Sequence, residues 1–342
     1  MILVTGATGC LGSALTKYLV ERGERVAIFR RENDPQLPNL APYAGEVEHR
    51  LGDVLDDEAV RSALRGVRQV YHLAGVAVPL SSLREAMFKV NVVGTDVVLT
   101  AAKLCGVERV VFTSSASTIG LPDEGEVANE DYVFNGGAFR FPYMHSKRQA
   151  EAIALRHAAK GLDVVVVNPT AVMAPAGDDR RGSWAASIIA LKQGRLRFCP
   201  SGGLGITTRR DMVDGHVKAM ARGKSGQRYI LNSTNLTYRD LIGLISSVVG
   251  VKPPRFQIPD SVLHAAGLFN STIDLFRRDS LSCSLLSRDN TVLLTKKMYY
   301  DQSKACRELN LSQTSLRDSI EEVYSAWLTF REKSSKRPRL QT

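Results

Sequence analysis

The sequence predicts an α/β protein built on a doubly wound parallel sheet. Short, nearly continuous apolar runs alternate with segments of helical spacing in the first half of the 342-residue chain, and a glycine-rich turn directly follows the first run. Apolar strands separated by helices are typical of parallel sheets that are covered on both faces. The predicted strands are 2–5, 25–29, 47–50, 69–74, 109–114 and 163–168.

The pattern changes after Pro169. Residues 175–208 are rich in Gly, Pro and Arg around one helical segment, 184–193, and a strand and a helix follow at 228–233 and 238–249. This change predicts a smaller, discontinuous C-terminal lobe that binds the substrate at the sheet edge. The predicted parts are a dinucleotide-binding domain (1–170 plus about 205–235), a substrate lobe (about 171–204 plus 236–330) and a basic flexible tail (331–342).

Composition favours an ordinary soluble enzyme over several other classes. The net charge of +10 does not indicate a nucleic-acid partner, because the last twelve residues alone hold five basic side chains against one Glu. The five cysteines form no CxxC pair and the six histidines no HExxH spacing, which argues against a metal site and for a reducing compartment. Without a long apolar segment or signal peptide, we expect a cytoplasmic protein with no membrane partner.

A glycine-rich turn, TGATGCLG, covers residues 5–12 with GxxGxxG spacing and opens the first predicted helix. Glycines at such a turn let main-chain N–H groups approach a pyrophosphate, and the helix N-terminus adds unpaired donors. The turn therefore predicts a dinucleotide site, with a tight turn that binds nothing as the alternative. Its predicted contacts are Gly6, Thr8, Gly9, Cys10 and Leu11.

Arg30 and Arg31 end the second strand, where a fold that binds NAD commonly presents an acid to the adenosine ribose. A guanidinium can hold the extra phosphate of NADP through two hydrogen bonds, whereas a carboxylate repels it. We therefore predict NADP(H), with NAD(H) as the alternative if the arginines are a solvated pair beside Glu32. Asp53, followed by Val54, is predicted to contact the adenine, with a helix cap as the alternative role.

Tyr143 and Lys147 stand at i and i+4 near the start of a predicted helix, so their side chains project from one face. A cation beside the phenol is expected to lower the pKa of Tyr143 from about 10, which prepares it for proton exchange with a substrate oxygen. Ser115, in FTSSAS at a strand end, is placed to hold that oxygen. Singly, each residue has a structural alternative, but together with the glycine turn they predict hydride-transfer chemistry.

TGATGCLG, NVVGT (91–95), FTSSAS and YMHSK occur in the order found in the extended short-chain dehydrogenase/reductases, which the chain resembles along essentially its whole length. The resemblance implies a Rossmann fold, the catalytic triad Ser115, Tyr143 and Lys147, and a Lys147 that also holds the nicotinamide ribose. It implies a homodimer through the helices that bear Asn91 and Tyr143, with Asn91 structural or lining the cofactor channel. The further cofactor contacts that it implies are Leu73, Ala74, Gly75, Asn91, Thr113, Pro169, Thr170 and Val172.

Two branches of this family compete. Sugar-nucleotide epimerases and dehydratases commonly carry an Asn that contacts the diphosphate where this chain has Ala171, and alanine has no polar group to donate. FTSSAS, NPTAV and YDQSKA are similar to dihydroflavonol reductases and 3β-hydroxysteroid dehydrogenase-like enzymes. We therefore predict an NADP(H)-dependent reduction of a ketone or aldehyde, or the reverse oxidation. The alternatives are an NAD-dependent sugar-nucleotide epimerase/dehydratase and a non-catalytic NADP-binding sensor or scaffold.

The predicted partner is a small-molecule carbonyl compound or alcohol, bound between the sheet edge and the second lobe. One hypothesis is that an anionic tail on it, such as a phosphate or a carrier-linked acyl group, meets basic side chains, but exposed, solvated arginines are the favoured explanation. The candidate basic residues are Arg180, Arg181, Arg209 and Arg210. The predicted lining segments are 76–80, 139–141, 173–183 and 209–212.

Overall fold

The computed structural model describes residues 1–34, 40–77, 83–175, 184–274 and 288–335. Seven parallel strands form its main sheet, in the order β10-β6-β5-β4-β1-β2-β3. The strands of the described chain are β1 Ile2–Thr5, β2 Val26–Arg30, β3 Glu48–Leu51, β4 Gln69–His72, β5 Arg109–Thr113, β6 Val164–Pro169, β7 Ala171–Met173, β8 Phe198–Cys199, β9 Gly203–Thr208, β10 Arg228–Leu231, β11 Thr234–Thr237, β12 Phe256–Gln257 and β13 Lys297–Met298. All six strands predicted for the first half are present, with ends shifted by at most two residues.

Helices cover both faces of this sheet, which confirms the doubly wound architecture. Their bounds are α1 Cys10–Val20, α2 Asp57–Ala63, α3 Arg84–Phe88, α4 Gly94–Leu104, α5 Pro142–Ala159, α6 Trp184–Lys192, α7 Arg209–Arg222, α8 Tyr238–Val249, α9 Asp260–Asp274, α10 Arg288–Thr295, α11 Ser303–Leu309 and α12 Leu316–Ser335. Within the described residues, no helix has both the length and the apolar character needed to cross a membrane.

Two buried apolar clusters fill the space on either side of the sheet. One joins strand side chains such as Val4 to α1 and α7, and the other joins Leu3 and its neighbours to α2, α4 and α5. Successive strand residues point to opposite faces, so a strand that is apolar at consecutive positions supplies both clusters. All six residues of β6 are accordingly buried.

The carboxyl ends of the central strands meet beside β1. Thr5, the last residue of β1, is in register with His72 of β4 and with Phe29 of β2. β1 lies between β4 and β2, so the order of the strands along the chain reverses there. Doubly wound sheets bind ligands in the crevice at this kind of reversal.

The chain after β6 builds a second, smaller sheet. β9 pairs with β11, β13 and β7, and a third apolar cluster joins this sheet to α6, α8 and α12. The strand β10 returns to the main sheet and pairs with β6. The boundaries predicted for the two lobes stay a prediction. α12 continues to Ser335, so the segment 331–342 begins as helix; residues 336–342 lie outside the described residues, and the flexible tail stays a prediction.

Candidate active site

The glycine turn packs its main chain against the loop that follows β4. Gly6 has φ of +68°, and a Cβ at this position would lie 2.6 Å from the main-chain nitrogen of Ala74. A Cβ on Gly12 would overlap the carbonyl oxygen of Gly6. No side chain caps the first N–H groups of α1 at its N-cap Gly9. A side-chain-free cradle at an open helix N-terminus fits a dinucleotide pyrophosphate.

The end of β2 places a carboxylate as well as two arginines near this turn. Asp34 Oδ1 accepts from Arg31 Nη2 at 2.7 Å and from Nε at 3.0 Å, and Asp34 Oδ2 lies 3.4 Å from the Thr8 hydroxyl. Arg30 Nε donates to His49 Nδ1 at 3.1 Å. The role of Asp34 was not predicted, and the only signal for it was its place shortly after the strand end. An acid at this position is a feature of NAD sites, so this region contains groups suited to either cofactor.

Asp53 shapes the turn after β3 but does not cap the next helix. Its Oδ1 accepts from the main-chain nitrogen of Leu55 at 3.0 Å. The cap of α2 is Asp56, whose carboxylate accepts from two N–H groups of the first turn. The alternative role of Asp53 as a helix cap is therefore wrong, because the helix begins further along the chain. Val54 packs against α4, where a Cβ on Gly94 would approach it to 2.8 Å.

A buried histidine that the sequence analysis missed supports the loop of Leu73, Ala74 and Gly75. His72 Nδ1 lies 2.7 Å from the hydroxyl of Thr5, which also accepts from the Ala74 nitrogen at 3.2 Å. His72 Nε2 lies 3.1 Å from the hydroxyl of Thr95 in α4. Burial, with the nearby Lys147 charge, lowers the pKa of His72 to about 3. A neutral ring thus joins β1, β4 and α4 beneath the predicted cofactor loop.

Asn91 connects the same loop to the helix that bears Tyr143. Its Oδ1 accepts from the Val76 nitrogen at 2.7 Å, and its Nδ2 donates to the Val76 oxygen at 3.1 Å and to Ser146 Oγ at 3.0 Å. It lies in a π-helical turn, Lys89–Val93. Such turns are frequent at functional sites because they redirect a side chain. These contacts support the structural role of Asn91, and its contact with the cofactor stays a prediction.

Ser115 and Tyr143 come together at the end of β5. Ser115 directly precedes a 3-10 turn, and its Oγ accepts from the nitrogen of Ser117 at 3.3 Å and from the Ser117 hydroxyl at 3.0 Å. Pro142 starts α5, where its missing N–H removes no helical hydrogen bond. Tyr143 follows, and its phenol lies close enough to the side chain of Ser115 for that hydroxyl to affect the pKa of the phenol.

The structure corrects the predicted acidity of Tyr143. Burial raises the pKa of the phenol above its ordinary value, and the hydrogen bond from Ser115 opposes this increase. The expectation that the phenol is already acidified by Lys147 is therefore wrong. The Lys147 ammonium is directed to a main-chain oxygen of β5, and desolvation of the phenol dominates. Tyr143 is protonated at neutral pH.

Lys147 is 6% exposed and lies under the same strand end. Its Nζ donates to the carbonyl oxygen of Thr113 at 2.7 Å and lies 5.2 Å from the centre of the Phe112 ring. Burial lowers the pKa of Lys147 to about 8, while the charge of Glu151 acts in the opposite direction. A Cβ on Gly75 would lie 3.6 Å from this nitrogen. Lys147 thus lies beside both the end of β5 and the predicted cofactor loop.

The segment after β6 is held by strands of both sheets. Thr170 N donates to Leu231 O at 3.0 Å, and its hydroxyl lies 2.8 Å from that of Thr207. The carbonyl oxygen of Val172 accepts from Trp184 Nε1 at 2.8 Å. The Cys10 thiol donates to the carbonyl oxygen of Pro175 at 2.9 Å. The chain that begins at Pro169 therefore returns to the N-terminus of α1. The cofactor contacts of Pro169, Thr170 and Val172 stay predictions.

The segments predicted to line one substrate pocket divide between two grooves. Residues 139–141 border a groove of about 680 Å³ beside α3 and the outer side of α5, whereas residues 209–211 border one of about 720 Å³ between α1, α7 and α12. Arg209 pairs with Glu322, and Arg210 is exposed. Arg180, Arg181, residues 78–80 and residues 176–183 lie outside the described residues. In the part of the chain described, no three His, Cys, Asp or Glu side chains are placed to hold a metal ion.

Comparisons with known proteins point to one family. The profile of the NAD dependent epimerase/dehydratase family matches residues 2–232. Sterol demethylase protein B of Methylococcus capsulatus is 33% identical over 335 residues, which cover 97% of this chain and 98% of that protein. The 2-alkyl-3-oxoalkanoate reductase of Stenotrophomonas maltophilia is 33% identical over 262 residues, covering 73% and 76%. The crystal structure of gox2253 aligns with a TM-score of 0.83 and 30% identity over 96% of this chain and 98% of that chain.

Proposed function

The chain belongs to the NAD-dependent epimerase/dehydratase family, the extended short-chain dehydrogenase/reductases that its motifs resemble, and from this premise we propose that it reduces a ketone or aldehyde to an alcohol with NADPH. The observation that carries the proposal is the protonated Tyr143 phenol, which lies beside the Ser115 side chain at the carboxyl edge of the sheet. A general acid beside a second hydroxyl is the arrangement that reduction of a carbonyl requires.

Ser115, Tyr143 and Lys147 each have a separate role in the proposed reaction. When bound, the reduced nicotinamide supplies the hydride that the carbonyl carbon accepts. Ser115 donates a hydrogen bond to the carbonyl oxygen as negative charge develops there, and Tyr143 transfers its phenolic proton to that oxygen. Lys147, charged at neutral pH because its pKa is about 8, stabilises the resulting phenolate until solvent restores the proton. In the oxidation of an alcohol the same groups act in reverse.

At the end of β2, Arg30 and Arg31 favour binding of NADPH, whereas Asp34 would favour NADH. The substrate class is drawn partly from the 2-alkyl-3-oxoalkanoate reductase, whose name describes a ketone that carries a carboxylate. A cytoplasmic location and a homodimer through the helices bearing Asn91 and Tyr143 complete the proposal.

The test is an absorbance assay of cofactor oxidation with purified protein. NADPH and NADH are each offered with aldehydes, aryl ketones, a 3-oxo acid and the methyl ester of that acid. We expect NADPH oxidation that depends on a carbonyl compound, and comparison of the acid with its ester tests the anionic tail. Turnover of UDP-glucose without added nicotinamide, with no carbonyl reduced, would favour the epimerase alternative instead. NADPH that binds but is not consumed with any compound would favour a sensor.

A further inference from the structure

A buried carboxylate lies behind the catalytic serine. Glu151 stands on α5 one turn after Lys147 and two turns after Tyr143, and its side chain has no exposed surface. The proposed reaction does not use it. An ionised carboxylate in such a place is strongly destabilising unless it is paired and hydrogen-bonded, so its partners indicate what it does.

One oxygen of Glu151 collects donors from both sides of Ser115. The hydroxyls of Ser114 and Thr118 and the Nδ2 of Asn168 each lie 2.6 Å from Glu151 Oε2. Ser114 and Thr118 flank Ser115 along the chain, and Asn168 Nδ2 also lies 3.2 Å from the Ser115 carbonyl oxygen. Three of the donors around the short turn that presents the Ser115 hydroxyl thus meet on a single carboxylate oxygen of α5.

The other oxygen faces two guanidinium groups. Arg228 Nη1 lies 3.3 Å and Arg148 Nη1 3.5 Å from Glu151 Oε1. Arg228 comes from β10, the last strand to join the main sheet, and Arg148 also donates to the carbonyl oxygen of Thr118 at 3.2 Å. Glu151 therefore ties together β5, β6, β10 and α5.

The same carboxylate acts on the charge of Lys147. Burial favours a neutral Lys147, and Glu151 is the group that favours the ammonium form. The other ionisable groups with a printed interaction with this pair are Arg148 on α5, His72 on β4 and Arg228 on β10. Loss of the Glu151 charge would leave the two arginine cations unbalanced one turn from Lys147.

We propose that Glu151 is a positioning residue, which holds the Ser115 turn in register with Tyr143 and places its negative charge one helical turn from Lys147. This inference rests on the proposed function, because it assigns Glu151 a role toward the groups that carry that reaction.

Glu151→Gln separates this role from simple packing, because the side chain keeps its size and loses its charge. Donors face both oxygens of Glu151, so the amide NH2 of Gln must meet donors on one side. We expect the apparent pKa of Lys147 to fall by about half a pH unit or more. We also expect kcat to fall about tenfold or more, with KM changed by less than about threefold, because a misplaced hydroxyl impairs the chemical step.

The decisive measurement is an NMR titration of protein with carbon-labelled lysine, which needs no substrate. The Lys147 signal is identified by its absence in Lys147→Arg. Glu130→Gln is the matched control: Glu130 is also a buried carboxylate, its main-chain oxygen contacts Arg228, and its side chain accepts from the Ile230 nitrogen at 2.8 Å. In this control the titration midpoint of Lys147 should be the same as in the wild type. An unmoved midpoint in folded Glu151→Gln would overturn the proposal.

Arg148→Gln provides a second test if Glu151→Gln does not fold. Arg148 is partly exposed, and its loss leaves the Glu151 charge less compensated, so the Lys147 midpoint should rise. A midpoint that falls or stays would contradict the inference. Failure of the proposed function would look different from failure of this inference. In that case the wild-type protein would reduce no carbonyl compound, whatever the result of the Lys147 titration.

Discussion

The carbonyl oxygen of Thr113 lies 2.7 Å from the ammonium nitrogen of Lys147, so the last residue of β5 determines where this lysine, the proposed catalytic one, is held. The hydroxyl of the same threonine lies 2.8 Å from Nε2 of His216, whose Nδ1 lies 2.7 Å from the carbonyl oxygen of Met212. Thr113 therefore links α5 on one face of the sheet to α7 on the other. Its predicted contact with the cofactor remains a prediction, alongside this structural role.

Acid should destabilise the protein through its buried histidines. Burial lowers the pKa of His216 to about 4 and that of His72 to about 3, whereas the unfolded chain takes up these protons near pH 6.5. Their contribution to stability is therefore complete above about pH 6.5 and is lost as the pH falls toward the folded values. At pH 5 each should lower the free energy of unfolding by about 2 kcal/mol.

Urea unfolding at pH 7 and pH 5 measures this loss. We expect a smaller difference between the two pH values in His216→Gln than in the wild type. His49→Gln, at an exposed position, serves as the control and should retain the full difference. Equal pH dependence in wild type and His216→Gln would show that His216 is not responsible.

Tyr143→Phe should lower kcat about a thousandfold, because it removes the proton donor and keeps the ring. Cofactor affinity, measured by the fluorescence of NADPH on binding, should change by less than about twofold. Tyr132→Phe is the matched control, since its phenol contacts the surface carboxylate of Glu126 at 3.0 Å, and it should keep full activity. Undiminished turnover in Tyr143→Phe would eliminate this tyrosine as the donor.

Gly12→Ala and Gly243→Ala should have opposite effects, although both glycines lie in helices. A Cβ on Gly12 would overlap the carbonyl oxygen of Gly6, so Gly12→Ala should distort the turn and weaken NADPH binding about tenfold or more. Gly243 has open space around it, and alanine there should stabilise the protein by about 0.5 to 1 kcal/mol. Calorimetry of cofactor binding and thermal unfolding test the pair. Unimpaired binding in Gly12→Ala would place the pyrophosphate elsewhere.

Arg30→Gln and Asp34→Asn should move cofactor choice in opposite directions. Loss of the Arg30 charge should weaken NADPH binding about tenfold and leave NADH binding within about twofold. Asp34→Asn removes a carboxylate that repels the extra phosphate and releases Arg31 from its ion pair, so preference for NADPH over NADH should rise about tenfold. Dissociation constants for both cofactors provide the comparison. If Arg30→Gln changed the dissociation constants of NADPH and NADH by the same factor, this arginine would not contact the ribose phosphate.

Sequence reasoning succeeded where a signal is local. The apolar runs and the YxxxK spacing predicted the strands and helices, because side-chain periodicity follows directly from backbone geometry. It failed for His72 and Glu151, most of whose partners lie far along the chain, and for Asp34, which pairs with the nearby Arg31 but also reaches Thr8 in the glycine turn. Glu151 meets Arg228 from the last strand to join the main sheet, and no local pattern relates the two residues.

By itself the sequence determined the architecture and the residues able to carry hydride-transfer chemistry, since both depend on residue types at short, regular intervals. Only the tertiary structure decided the protonation states of these residues and their neighbours. Burial keeps Tyr143 protonated, brings the pKa of Lys147 to about 8 and makes His72 neutral, against the sequence-based expectation that the phenol is acidified. The reason is that desolvation depends on which distant segments enclose a group, and that is established only when the chain has folded.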